Sequence, residues 1–390
     1  MLDLFQINSC RARSRLYFYP ACGRMNSVKK AVQLMVGILL FGSAVFPAQA
    51  AFTNLYIFGD TVSTTTNGPG GSSYYGNRYS NGRVWVEVLA QQQGLTYNSN
   101  KNLSYYDHNS TLLLTELNSF SPTNATNALF IVWVNDADFV DDISAYSPYN
   151  SNNIAAWNNA INQSLTNHFK VITNLYFAKG VRTLIMPNAV DVTKIPSYVY
   201  LPTADKNFIR QRVIAFNAGF TNTLNRARTN CPAINIYVPD MFALLDNVVS
   251  NSAYYGLTNA LDSNGQSVDA LDDTALSNKA LNGPGTNYIF WDYLDPTAKF
   301  HSVLADITQQ LISPVQISNI TSLNGSNQLV VANVPIGQNG LVLGRTNLLA
   351  PGWQTNATFV SSNTTQTVYV PASGPMWFYR LKFPYSWSWP

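Results

Sequence analysis

The chain has 390 residues, 46% of them hydrophobic and only 11% charged, with a formal charge of +3. That positive charge resides in the first fifty residues, which hold six Lys/Arg and one acid. The rest carries seventeen basic and nineteen acidic side chains, a net of −2, so no basic stripe remains to suggest a nucleic-acid partner.

From Met25 the sequence reads as an export signal of bacterial type. Lys29 and Lys30 precede an apolar run over 31–46, and Ala48-Gln49-Ala50 forms a small-x-small cleavage site. The run is short for a membrane span, and the alternative is an uncleaved N-terminal anchor. Residues 1–24 are basic and without periodicity, and read as an upstream extension from a misplaced start. The expected mature chain begins at Ala51, is secreted, periplasmic or surface-bound, and has no transmembrane segment after cleavage. Of Cys10, Cys22 and Cys231 only Cys231 survives this processing, so no intrachain disulfide braces the fold.

Four short apolar runs follow at 55–58, 128–134, 181–186 and 234–238. None alternates with polar residues, as expected of strands buried on both faces in a parallel sheet. Helical patterns separate them at 83–93, 153–178 and 205–228. The clearest has Ile154, Trp157, Ile161, Leu165, Phe169, Ile172 and Tyr176 at three- and four-residue steps, closed by Gly180. Strand–helix alternation of this kind predicts an open α/β sheet with helices on both sides, over 51–312. Residues 313–322, "SPVQISNITS", read as a polar linker. Beyond it, 323–390 contains only short β-rich runs at 328–334, 341–343, 358–360, 367–370 and 377–383, the pattern of a small antiparallel sandwich.

In open α/β sheets, chemistry collects at the C-terminal ends of the strands. Three stretches fall there: Gly59-Asp60-Thr61, Asn135-Asp136, and "FWDYLDPTAKFH" before the last helix of this region. In the third, Asp292 and Asp295 lie three apart and precede Pro296, which is suited to the first position of a helix.

These stretches carry a family resemblance. "IFGDTVSTTTN" is similar to the Gly-Asp-Ser-Leu-Ser block of the GDSL-type SGNH hydrolases, secreted esterases and lipases, and "YSNGRVWVEVLA" resembles the helix after it. "LFIVWVNDADF", "FNAGFTNTLNRARTNCPAINIYVPDMFALLDNVVSN" and "YIFWDYLDPTAKFH" resemble the later blocks, in order, across about 54–312. The resemblance implies a three-layer α/β/α, flavodoxin-like fold and hydrolysis of carboxylic esters. It places Thr61 at the nucleophile position, Asp292 at the orienting acid, Asp295 at the general base and Asn135 in the oxyanion hole. The family has Ser at the first of these and His at the third. Where it has oxyanion glycines, this chain has Tyr106-Asp107 and, in the next block, Trp133 or Val134.

The His-to-Asp change weighs most. An aspartate is a weaker base by about 2.6 pKa units, roughly 3.5 kcal/mol of proton-transfer driving force, judged from reference values. It also sets a second carboxyl beside Asp292. Thr is a usable nucleophile, but its β-methyl crowds the attack path. Triad hydrolysis is therefore expected to fail, and a non-catalytic protein binding an acyl or carbohydrate ligand in the old cleft is the alternative to an esterase. His108, following the oxyanion region, is a candidate relocated base, and Ser63 a weaker replacement nucleophile. Structural roles stand beside these: Asp295 as the cap of the following helix, Thr61 as a turn residue, Asn135 as a loop brace, and His168 and His301 as packed helix residues. The three histidines are far apart and no cysteine pair remains, so neither a metal nor a cofactor is expected.

Overall fold

The computed structural model describes residues 52–323, 325–347, 352–371, 377–384 and 387–390. The expected export signal, the residues ahead of it and the start at Ala51 lie outside these.

A parallel sheet of four strands forms the centre: β1 (Asn54–Gly59), β2 (Ala128–Trp133), β3 (Thr183–Ile185) and β4 (Asn235–Tyr237), hydrogen-bonded in that order. Every residue of β2 is buried, which is why its sequence shows no alternation. On the free edge of β1 the backbone of 102–105 runs alongside, with Leu103 N–H bonded to the Ile57 carbonyl at 2.8 Å and Tyr105 N–H to that of Gly59 at 3.3 Å. Counted as a strand, it makes the winding 2-1-3-4-5, the flavodoxin-like order. That order puts the topological switch between β1 and β2, the crevice where such folds hold ligands.

The helices are α1 (Trp85–Gln92), α2 (Ser110–Glu116), α3 (Asn135–Ala145), α4 (Ile154–Phe177), α5 (Thr203–Asn230), α6 (Met241–Ser250) and α7 (Ala298–Ile312). Right-handed crossovers place α1 and α7 on one face and α2 to α5 on the other. The packing agrees: α1 lies on α7, and α4 touches both α2 and α5. Helices α2 and α3 have no counterpart in the periodicity analysis, because α3 (NDADFVDDISA) is polar along most of its length.

Of residues 313–322, expected as a linker, 316–322 belong instead to strand β5 (Gln316–Leu323), which pairs with β6 (Ser326–Ala332). Its side chains are exposed, so no hydrophobic alternation marked it. With β7 (Asn339–Arg345), β8 (Gln354–Val360), β9 (Thr365–Pro371) and β10 (Phe378–Lys382) it builds two three-stranded antiparallel sheets, β5-β6-β9 and β10-β7-β8. Their own core holds Leu329, Val331, Val342, Val368, Val370 and Phe383. The module docks on α1 and α7, where Gln338 Nε2 donates to Asp306 Oδ1 at 2.8 Å and Ile336 N–H to the Gln92 carbonyl at 3.4 Å. Gly94 ends α1 at φ +69°, and a Cβ there would meet Ile336 Cδ1 at 3.3 Å, so the junction calls for glycine. The C-terminal residues return to the α/β domain: Trp389 Nε1 donates to the Asn81 carbonyl at 2.8 Å and Arg83 Nε to that of Pro390 at 3.2 Å.

Candidate active site

Strand β1 ends in a tight turn. The Asp60 carbonyl accepts from the N–H groups of Ser63 and Thr64, both at 3.2 Å, and Asp60 Oδ1 accepts from Val62 N–H at 3.1 Å. Gly59 is required by close approach, since a Cβ would lie 2.7 Å from that of Ser63. Ser63 itself is fully buried, its hydroxyl accepting the Trp85 indole N–H at 3.0 Å, so it holds the turn against α1. The turn presents Thr61, 7% exposed, to a cavity.

The second sequence block meets the same cavity from the end of β2. Trp133 and Asp136 line it, and Asp136 Oδ1 accepts from Val190 N–H at 3.0 Å. Asn135 starts α3 and is 1% exposed. Its Nδ2 donates to the Pro187 carbonyl at 2.9 Å and its Oδ1 has no hydrogen-bond partner. Asn135 is absent from the cavity lining, whereas Tyr106 and Asp107 lie on it.

Asp292 and Asp295 belong to a small loop closed by Trp291 N–H to the Asp295 carbonyl at 2.8 Å. Asp292 Oδ1 accepts the N–H groups of Leu294 and Asp295 at 2.9 and 2.8 Å, and its Oδ2 accepts the Tyr74 hydroxyl at 3.1 Å. The expected cap role falls to another residue: Thr297 Oγ1 accepts Phe300 N–H at 3.3 Å, and the helix begins at Ala298 rather than Pro296. Asp292's two backbone bonds fold the preceding residues into a turn, which delays the helix. Asp295 is 1% exposed, with Oδ1 unpartnered.

Burial dominates the electrostatics. It pushes Asp292 up to about 6, against the hydrogen bonds it accepts. It holds Asp295 well above the usual carboxylate range; the neighbouring Asp292 charge pushes the same way, and a hydrogen bond from Thr61 opposes both. Asp60 is likewise raised to about 6 by burial, and Asp136 well above its ordinary value by burial and the charge of Asp60. Thr61 thus adjoins a carboxyl group that burial and the Asp292 charge shift towards its protonated form. The structure brings Thr61, Asp292 and Asp295 into one neighbourhood, with Asp60 and Asp136 joining them.

His108 is engaged elsewhere. Its Nδ1 lies 3.0 Å from the Gly59 carbonyl, Nε2 lies 3.3 Å from Glu116 Oε2 without hydrogen-bond alignment, and the ring stacks on Tyr105 at 4.1 Å. His168 Nδ1 sits 2.8 Å from the Ser164 carbonyl between Phe216 and Phe220. His301 is fully buried with both ring nitrogens unpartnered, and burial drives it down to about 3. Among the described residues, no group of three or more His, Cys, Asp or Glu side chains is arranged to hold a metal ion, and no helix is long and apolar enough to cross a membrane.

No family model matches the chain. Among curated proteins, the thermolabile hemolysin of Vibrio parahaemolyticus is 22% identical over 269 residues, which cover 64% of this chain and 61% of the hemolysin. A GDSL esterase/lipase of Arabidopsis thaliana is 22% identical over 216 residues, 52% of this chain and 54% of that protein. The chain is related to the GDSL-type SGNH hydrolases. It spans between about half and three-fifths of the length of these two curated relatives. Among solved structures, the phospholipase A1 of Streptomyces albidoflavus aligns with 67% of this chain and 100% of its own, at 13% identity and a TM-score of 0.39.

Against the GDSL pattern, sequence reasoning missed Tyr74. It comes from the loop between β1 and α1 and occupies the Asp292 oxygen that the two backbone N–H groups leave open. Nothing in its Gly-Ser-Tyr-rich surroundings marks it out. The same reasoning quoted Asp60 and Asp136 without assigning them a role. Their positions after two apolar strands at the switch point were the available signal.

Proposed function

We propose that this is an exported protein of GDSL lineage that holds an acyl or ester ligand in the cavity beside Thr61, with triad hydrolysis suppressed at neutral pH. One observation carries the reading. The Thr61 hydroxyl neighbours a buried Asp295 whose carboxyl is shifted towards its protonated form by burial and by the Asp292 charge, and His108 Nδ1 is engaged with the Gly59 carbonyl. A carboxyl shifted that way is poorly placed to take the hydroxyl's proton. The ligand reading rests on the walls, which are aliphatic along Val140, Val192, Ile195, Met241, Leu245 and Leu304. Such a lining favours an acyl chain over a carbohydrate. The near-neutral charge beyond the first fifty residues supports no role with nucleic acid.

A second reading has a specific support. Burial moves Asp295 in the direction of greater basicity, so its ionised fraction is a better base than the free aspartate that the sequence suggested. Slow ester hydrolysis that climbs with pH above neutrality is then the residual activity of the site. Equilibrium binding of a non-hydrolysable alkyl ketone or ether, with an isosteric variant such as Thr61→Val, tests the proposal. Micromolar binding in both proteins is expected, and absence of binding in both would remove the cavity from the account. N-terminal sequencing of exported material tests the export signal, with a start at Ala51 expected and a start upstream of Ala31 excluding it.

A further inference from the structure

The cavity beside Thr61 has a one-sided charge. Its polar lining consists of Asp60, Asp107, Asp136 and Thr61, with the exposed Tyr106 at the rim, and no Lys, Arg or His contributes. Asp60 and Asp136 are 6% and 7% exposed, and each accepts one backbone N–H. Ion pairs engage Glu87, Glu116, Asp191 and Asp246, none of which lines the cavity. The imidazole near Asp60, His108, has its Nε2 3.3 Å from Glu116 Oε2.

An acidic cluster alone is only unpaired charge. Here it opens on a largely apolar cavity whose lining includes the aromatic side chains Tyr106, Trp133, Phe290 and Phe300. Trp133 is 2% exposed, and its indole N–H lies beside the Asp136 carboxyl without an aligned hydrogen bond. Asp295, flanked by the lining residues Leu294 and Pro296, adds a further buried carboxyl with an unpartnered oxygen. Aromatic faces and carboxyls around an apolar pocket are the chemistry that recognises alkylammonium groups.

We propose that this cavity selects hydrophobic cations: an apolar chain that carries an ammonium group at the end nearest Asp60 and Asp136. The proposal rests on the cavity being the ligand site and narrows its ligand. A carboxylate head would meet three or more acids without a counter-charge, and an uncharged head would leave them unpaired. An ammonium head supplies the missing partner and stabilises their ionised forms, so its binding releases protons. The upward displacement of both aspartates is what unpaired burial produces and what such a ligand would reverse.

The test is calorimetric titration of the full chain, below micelle concentrations, with octyltrimethylammonium, 1-octanol and octanoate. Run at pH 7.5 in two buffers of different ionisation enthalpy, it also counts protons released. The ammonium compound is expected to bind at least tenfold more tightly than octanol, with release of protons, and octanoate not at all. Its affinity should rise between pH 5 and 8. Asp136→Asn, close in shape to the protonated side chain, should bring the ammonium-to-octanol ratio towards one. Equal binding of all three compounds overturns the charge selection and leaves the acyl cavity standing. Binding of none overturns both.

Discussion

The Tyr74 hydroxyl donates to Asp292 Oδ2 at 3.1 Å while two backbone N–H groups hold Oδ1, so the carboxyl at the orienting position is occupied on both oxygens. In a working triad one of those oxygens would fix an imidazole tautomer. An imidazole introduced by Asp295→His would compete with Tyr74 for that carboxyl.

Restoring hydrolysis should need three changes. Thr61→Ser with Asp295→His is expected to give weak turnover of short nitrophenyl esters, and adding Tyr74→Phe to raise kcat/KM by about tenfold, the equivalent of one hydrogen bond of about 1.4 kcal/mol. Oxyanion donors remain the ceiling, since each missing one costs about a hundred- to a thousandfold. If Tyr74→Phe lowers the activity of the double variant, Tyr74 supports the site and does not block it.

Stability should fall as pH rises. Folded Asp60 and Asp292 titrate at about 6 and Asp306 at about 7, above an unfolded aspartate near 3.9. Between those values the folded chain keeps protons that the unfolded chain has lost, so unfolding free energy decreases with pH through that window and levels above it. Buried His168 and His301, both lowered, work oppositely below about 6.5, but they are two groups against nine raised aspartates. Urea midpoints measured at pH 5.5 and 8 should be higher at 5.5, and Asp306→Asn should shrink the difference. A higher midpoint at pH 8 contradicts the assignment.

His301 offers a stabilising substitution. Both its nitrogens are buried without partners, a desolvation cost of about 1–3 kcal/mol with no hydrogen bond in return. His301→Leu, apolar and of similar volume, should raise the thermal midpoint by several degrees. A lower midpoint would indicate that the imidazole makes polar contacts in solution.

Trp389 ties the end of the chain to the loop that delivers Tyr74. It bonds to the Asn81 carbonyl at 2.8 Å and meets the Tyr75 ring edge-on at 5.9 Å. Trp389→Ala should cost about 2–4 kcal/mol, less than a full core truncation, because the site is half-exposed. Amide exchange should accelerate over 70–83 and not in β2. Uniform acceleration would make Trp389 an ordinary packing residue.

The parallel sheet and its main helices were legible because burial leaves a plain mark: β2 is six apolar residues, all buried, and α4 carries an apolar stripe. Strand β5 left no such mark, since its polar side chains face solvent and its ladder to β6 is made by backbone. At the site, the order of the blocks pointed to Thr61, Asp292 and Asp295. It gave no hint of Tyr74, which arrives from 218 residues away in sequence to touch Asp292. Nor did reference acidities foresee Asp295. A free aspartate is a weak base, but burial and a neighbouring carboxyl push Asp295 well above the usual carboxylate range, which favours its protonated form.

The central claim, that Thr61 lacks an operating base, is tested most directly by reaction with an alkyl fluorophosphonate at pH 7.5, followed by intact mass and peptide mapping. The account predicts no adduct at Thr61 after hours of exposure and no measurable turnover of nitrophenyl butyrate. Rapid stoichiometric labelling of Thr61, with hydrolysis abolished by Thr61→Ala, would contradict it.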